Sequence, residues 1–179
     1  MKEVKKIILL IALVMLCGCG TTVINKSPNA IALQTQLGLG VVPMENHTQT
    51  PQAGEKVASI VAGVLQTKGA NNIKIYKQNV PCDKILACPS RNLNMSEVLR
   101  WARKSDIGYI ILGTVNEWSY KVGLDGEPTV NITLKLIKAD SGKTIWNAVG
   151  SKVGGSRSGL GDIGHELIAK ILSSVKIYN

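Results

Sequence analysis

The chain is 179 residues long, 45% apolar but only 4% aromatic, and carries 21 Lys and Arg against 12 Asp and Glu for a formal net charge of +9. That length bounds it to one domain with short extras and excludes large multidomain enzymes, because single domains run to about 100–200 residues. Charged residues at 18% beside this apolar content exclude a wholly disordered chain, and with no Phe the core must be built mainly from Ile, Val and Leu.

Lys2, Lys5 and Lys6 precede an unbroken apolar run from Ile7 to Leu16, followed by Cys17-Gly18-Cys19-Gly20. This is the three-part layout of an export signal, and the run is too short for a helix to cross a hydrocarbon core, which takes about 20 residues. Leu16-Cys17-Gly18-Cys19 resembles the bacterial lipobox, which implies that residues 1–18 are a removed signal peptide and that Cys19 becomes an acylated amino terminus. By the sorting rule of such proteins, Gly20 rather than Asp after that Cys implies the outer membrane. Removing residues 1–18 takes away three Lys and one Glu and leaves a net charge of +7. An exported basic domain meets lipid phosphates, not nucleic acid.

Residues 19–36 show no sustained period and read as a lipidated tether, leaving 37–179 as a single periplasmic domain. At roughly 5–6 Å × √n such a tether reaches only about 20–25 Å, which favours work close to the membrane. Leu37 to Met44 predicts a first strand ending at Pro43. Val57, Ile60, Val61, Val64 and Leu65 share one helical face, with Gly69 as the stop. Ile73 to Lys77 alternates as a strand, and a Pro-flanked loop containing Cys82 and Cys88 follows. Asn94 with Glu97 opens a second helix carrying Val98, Leu99, Trp101 and Ala102.

Ile107 to Val122 predicts a long strand bent at Gly113, turning at Asp125-Gly126 into an alternating strand with Val130, Ile132, Leu134 and Leu136 inward. Asp140-Ser141-Gly142 turns into a fifth strand, Thr144 to Val153, and Leu160 to Val175 carries the strongest helical stripe. The order β-α-β-α-β-β-β-α, with three hairpin-linked strands, predicts an α+β fold with a mainly antiparallel sheet and helices laid on one face of it.

Chemical motifs are few. Gly159-Leu160-Gly161-Asp162-Ile163-Gly164 matches the dinucleotide fingerprint, but the chain lacks the following parallel strand and acidic residue, so the glycines read as relieving crowding at a helix start. His165-Glu166 has no second His at i+4, and His47 stands in a polar loop; no metal site, cofactor or catalytic set is expected. Cys82 and Cys88, exported to an oxidising compartment, predict a disulfide closing a short loop, stabilising by about 2.4 kcal/mol before strain. Their spacing is not the C-x-x-C of a redox pair.

Several strings go further: Val42-Pro43-Met44-Glu45-Asn46 with Thr48, Thr50 and Pro51; Trp101-Ala102-Arg103; Gly113-Thr114-Val115 with Glu117-Trp118 and Tyr120-Lys121; Gly123-Leu124-Asp125-Gly126-Glu127-Pro128; and Ser141-Gly142-Lys143 before Ile145-Trp146. From about Leu39 to Val175 the chain resembles the PelC family, outer-membrane lipoproteins of the Pel exopolysaccharide export system, and its architecture is similar to the periplasmic domains of CsgG, LpoB and the amino-terminal part of TolB. The resemblance implies a non-enzymatic subunit of a dodecameric ring beneath the outer membrane, passing a cationic polysaccharide to an outer-membrane porin. Two departures stand out: Gly154-Gly155 occupies the loop where a membrane-facing aromatic is expected, and the mature domain is basic. A cationic polymer then requires a local acidic zone, expected at Glu117, Asp125 and Glu127, with Lys143, Lys152 and Arg157 turned toward outer-membrane lipid. The alternative is an LpoB-like regulator of a peptidoglycan synthase.

Overall fold

The computed structural model describes residues 6, 21–34, 36–77, 93–121 and 126–178. Its framework is the expected meander. Strands β6 (Ile107–Tyr120), β7 (Pro128–Lys138) and β8 (Thr144–Val153) pair antiparallel in sequence, and β3 (Gly38–Val41) adds parallel to the free side of β6 with β5 (Ile73–Ile75) parallel beyond it. The two-residue β4 (Glu45–Asn46) continues β3 along β6. Three helices pack on this sheet: α1 (Ala53–Thr67), α2 (Met95–Lys104) and α3 (Leu160–Ile171). The fold is α+β with a mostly antiparallel seven-stranded sheet.

The segment expected to be a tether departs from that expectation. Thr22–Lys26 forms β1, antiparallel to β8 at the sheet edge, and Ile31–Gln34 forms β2, parallel to β9 (Val175–Tyr178) in a separate two-stranded sheet. Ile24 lies opposite Gly150 and packs on the core, and Leu33 is buried within it. Burying these aliphatic side chains offsets the entropy of ordering the segment.

The helices also divide between two faces. Leu39, Val41, Ile111, Val115, Leu134 and Leu136 join α1 and α3 in the larger core, whereas Val42, Ile110 and Ile137 join Val98 and Ala102 of α2 in a smaller one. Chain direction explains the split. From β3 through α1 the chain moves outward to β5, and from β5 through α2 it moves back past β3 to β6. Parallel strands joined through a helix cross over right-handed almost without exception, so two crossovers running in opposite lateral directions leave their helices on opposite faces.

Beyond α2, the face opposite α1 and α3 has no helix on it among the described residues. Register aligns its side chains in rows across β1, β8, β7 and β6: Asn25, Val149, Thr133 and Thr114, then Val23, Ser151, Asn131 and Glu117. The irregularity in β6 falls at Asn116, where the register slips between Val115 and Glu117, and not at Gly113, which pairs in register with Leu134. A Cβ on Gly113 would stand 1.9 Å from the Thr133 carbonyl oxygen, so this glycine permits a close backbone approach instead.

Candidate functional site

The sheet has two ends, and its strands sort the candidate residues between them. At one end lie the start of β1, the end of β6, the start of β7, the end of β8 and the start of α3. The Val153 N–H donates to the Thr21 carbonyl at 3.0 Å, the Gly154 N–H to Pro128 at 2.8 Å, and the Lys121 N–H to Glu127 at 2.8 Å. The Leu160 N–H donates to the phenolic oxygen of Tyr120 at 3.2 Å, tying the first turn of α3 to the end of β6 while Tyr120 stays 52% exposed.

Glu117, Glu127, Lys152 and Arg157 all belong to this end. Glu117 stands on the open face opposite Asn131, half-buried, and accepts from the Ser119 hydroxyl. Glu127 follows Gly126, whose φ of +50° suits a glycine in a tight turn. Lys152 lies in register with Val130 and Thr22 and points to the other face, where it pairs with Glu166 of α3; its side chain is only 11% exposed. The Lys152 ammonium, by hydrogen bond and by charge, holds the Glu166 carboxyl below the usual glutamate range. Arg157 is exposed in the turn between β8 and α3.

Lys143 lies elsewhere. It occupies the turn between β7 and β8, its carbonyl accepting from Lys138 N–H at 3.0 Å, at the opposite end of β8 from Lys152. Nine steps along the strand separate the two, roughly 30 Å, so Lys143 and Lys152 do not share one basic surface. Cys19, Cys82, Cys88 and Asp125 lie outside the described residues.

The sequence reading missed Lys26. Its ammonium donates to the Lys170 carbonyl and to Ser173 Oγ, both at 2.6 Å, closing the carboxyl end of α3 with a cation where the helix dipole favours one. Burial lowers its pKa, and the charge of Lys68 adds to that. The Glu45-Asn46 string proves to be a loop device. The Asn46 amide oxygen accepts from the Thr48 N–H and hydroxyl at 3.0 and 2.8 Å, its amide nitrogen donates to the Thr50 carbonyl at 2.8 Å, and Thr50 Oγ1 donates to the Trp118 carbonyl at 2.6 Å. The loop before α1 is thereby fixed to β6. The glycine string opening α3 is a packing device: a Cβ on Gly164 would stand 2.3 Å from the Trp118 ring. Among the described residues no group of three or more His, Cys, Asp or Glu could hold a metal, and no helix is long and apolar enough to cross a membrane.

No protein-family model and no curated protein matches the chain. Among solved structures, the PelC dodecamer of Paraburkholderia phytofirmans is 33% identical with a TM-score of 0.74, over 89% of this chain and 100% of that one. A variant of that protein, also a dodecamer, is 32% identical with a TM-score of 0.75, over 88% and 100%. The lipoprotein GNA1162 of Neisseria meningitidis shares the fold, with a TM-score of 0.52 and 15% identity over 76% of this chain and 95% of that one. Identity at one residue in three across the whole length of a solved relative, on the same strand and helix framework, means that the chain belongs to the PelC family.

Proposed function

We propose that this protein is a lipid-anchored, ring-forming subunit that guides an exopolysaccharide of the Pel type across the outer membrane. The observation that carries this reading is membership in a family whose solved relatives are dodecamers covered from end to end by this chain. Those dodecamers support homo-oligomeric assembly. No catalytic group enters the proposal; the protein acts through shape and charge.

The anchor sets the orientation. With Cys19 acylated and cleaved before, only Gly20 stands between the lipid and Thr21, whose carbonyl is already bonded to β8. Two residues span at most about 7 Å, so the end of the sheet with Tyr120, Glu127, Lys152 and Arg157 lies against the bilayer. Arg157, exposed there, faces lipid phosphates; Lys152, paired with Glu166, has less charge to offer; Lys143 faces away into the periplasm. Glu117, Asp125 and Glu127 supply the acidic zone near the membrane where a cationic polymer passes to its porin.

The test is made in the native host. Cys19→Ser is expected to leave the protein out of the membrane fraction and abolish polymer secretion, and Asp125→Asn with Glu127→Gln is expected to reduce secretion while leaving assembly intact. Wild-type secretion in both strains would overturn the reading.

A further inference from the structure

The open face of the sheet is neither covered by its own chain, among the described residues, nor built like a solvated one. Its side chains are short and uncharged: Asn131, Thr133 and Ser151 occupy the middle, and Val149 stays 40% exposed between them. Charge enters the rows only at Glu117 on one side, held by Ser119, and at Lys135 in the row opposite Asn147. A chain of net charge +9 places its Lys and Arg elsewhere. Depletion of charge is one mark of the core of a protein interface. The polar groups are already partly paired, since the Asn116 amide donates to Asn131 Oδ1 at 3.2 Å and to Thr133 Oγ1 at 3.4 Å, which lowers the cost of drying them.

The occupant follows from the relatives. Both solved dodecamers consist of a chain that this one covers completely, so no element outside the shared fold is left to build their subunit contacts. Those contacts come from surfaces of the fold itself. A ring requires heterologous contacts, in which one surface meets a different surface of the next copy. Four strands about 4.8 Å apart, with rows about 6.8 Å apart, give a face of roughly 400 Å², about half of the ~800 Å² each partner gives to a standard interface. We infer that the polar open face of β1, β8, β7 and β6, centred on Thr133 and Val149, is one of the two subunit contacts of the ring, and that its occupant is a different surface of a second copy of this chain.

This inference rests on the assembly reading above, and the experiment separates the two. Full-length lipidated protein is extracted in mild detergent and sized by light scattering, as wild type, as Thr133→Arg with Val149→Arg, and with a photo-crosslinking amino acid at position 149 of an otherwise unchanged chain. The expected results are a wild-type oligomer, a folded monomer for the double variant by circular dichroism, and a crosslink from position 149 to a peptide outside the open face. An oligomeric double variant, or a wild-type ring with no crosslink to a second copy, overturns the face while leaving assembly standing. A wild-type monomer overturns assembly and this occupant together. Should the double variant fail to fold, the crosslink decides alone.

Discussion

Gly164 and Gly63 are both helix-interior glycines, and the space around them gives them opposite roles. A methyl group on Gly164 would run into Trp118, whereas one on Gly63 would meet nothing within 4 Å. Gly164→Ala is expected to destabilise by about 1–3 kcal/mol through overpacking. Gly63→Ala is expected to stabilise by about 0.5–1 kcal/mol, because alanine loses less backbone entropy in a helix. Thermal melts of the two variants should move in opposite directions, and equal shifts would mean that Trp118 yields to the added methyl. At this scale the sequence was partly legible. Asn94 caps α2 as its spacing predicts, its side chain accepting from the Ser96 N–H at 3.1 Å. The reading that the glycines opening α3 relieve crowding holds for Gly164, but Trp118, the group they make room for, lies 46 residues back on another strand.

The most periodic elements were read from the sequence for a physical reason: β7, β8, α1 and α3 each bury several side chains at a fixed period, and that repetition is visible in one window of sequence, although α3 stops at Ile171 and the expected stripe runs on through a short 3-10 turn into β9. The strands β1 and β2 are five and four residues long. Their alternation is too brief to stand out from scattered aliphatics, and their partners lie more than 100 residues away. The division of helices between two faces was likewise hidden, since it depends on strand order and not on any local pattern. Lys26 joins β1 to the end of α3, so Lys26→Met is expected to cost about 1 kcal/mol of helix-end stabilisation and to raise hydrogen exchange at β1 amides more than at β7. Uniform exchange across both strands would show that β1 holds by its ladder alone. The Lys152 and Glu166 pair gives a pH signature. Because the folded carboxyl titrates below its unfolded value, its contribution is present at neutral pH and is lost as pH falls through the folded value. The difference in melting temperature between wild type and Glu166→Gln is therefore expected at pH 7 and should vanish well below the ordinary glutamate value of about 4.3.

For the molecule as a whole, under the lipid anchor proposed at Cys19, the decisive quantity is the length of chain between the lipid and the fold. A tether of residues 19–36 would let the domain tumble, but a sheet that begins at Thr22 would not, because an anchor at Cys19 would be mounted on the edge strand beside Lys152 and Ser151. Every copy in an assembly then presents the same end to the membrane. An arrangement with perpendicular two-fold axes would turn half of the copies over and place their lipids on the far side, across the thickness of the assembly. A span of at most about 7 Å from Cys19 to Thr21 cannot bridge that distance, so the anchor proposed at Cys19 requires a cyclic assembly, with its axis normal to the bilayer and all acyl chains on one rim. The opposite rim then carries the turn from Asp140 to Lys143, with the Asp140 carboxyl held below the usual aspartate range, first by the Ser141 hydroxyl. The measurement is direct. Small peptide tags inserted after Gly142, decorated with antibody fragments and imaged with the assembly in lipid nanodiscs, are expected on the rim away from the disc in every copy. Tags on both rims would require a long free segment ahead of Thr22, and would mean that β1 detaches from β8 in the membrane-bound protein.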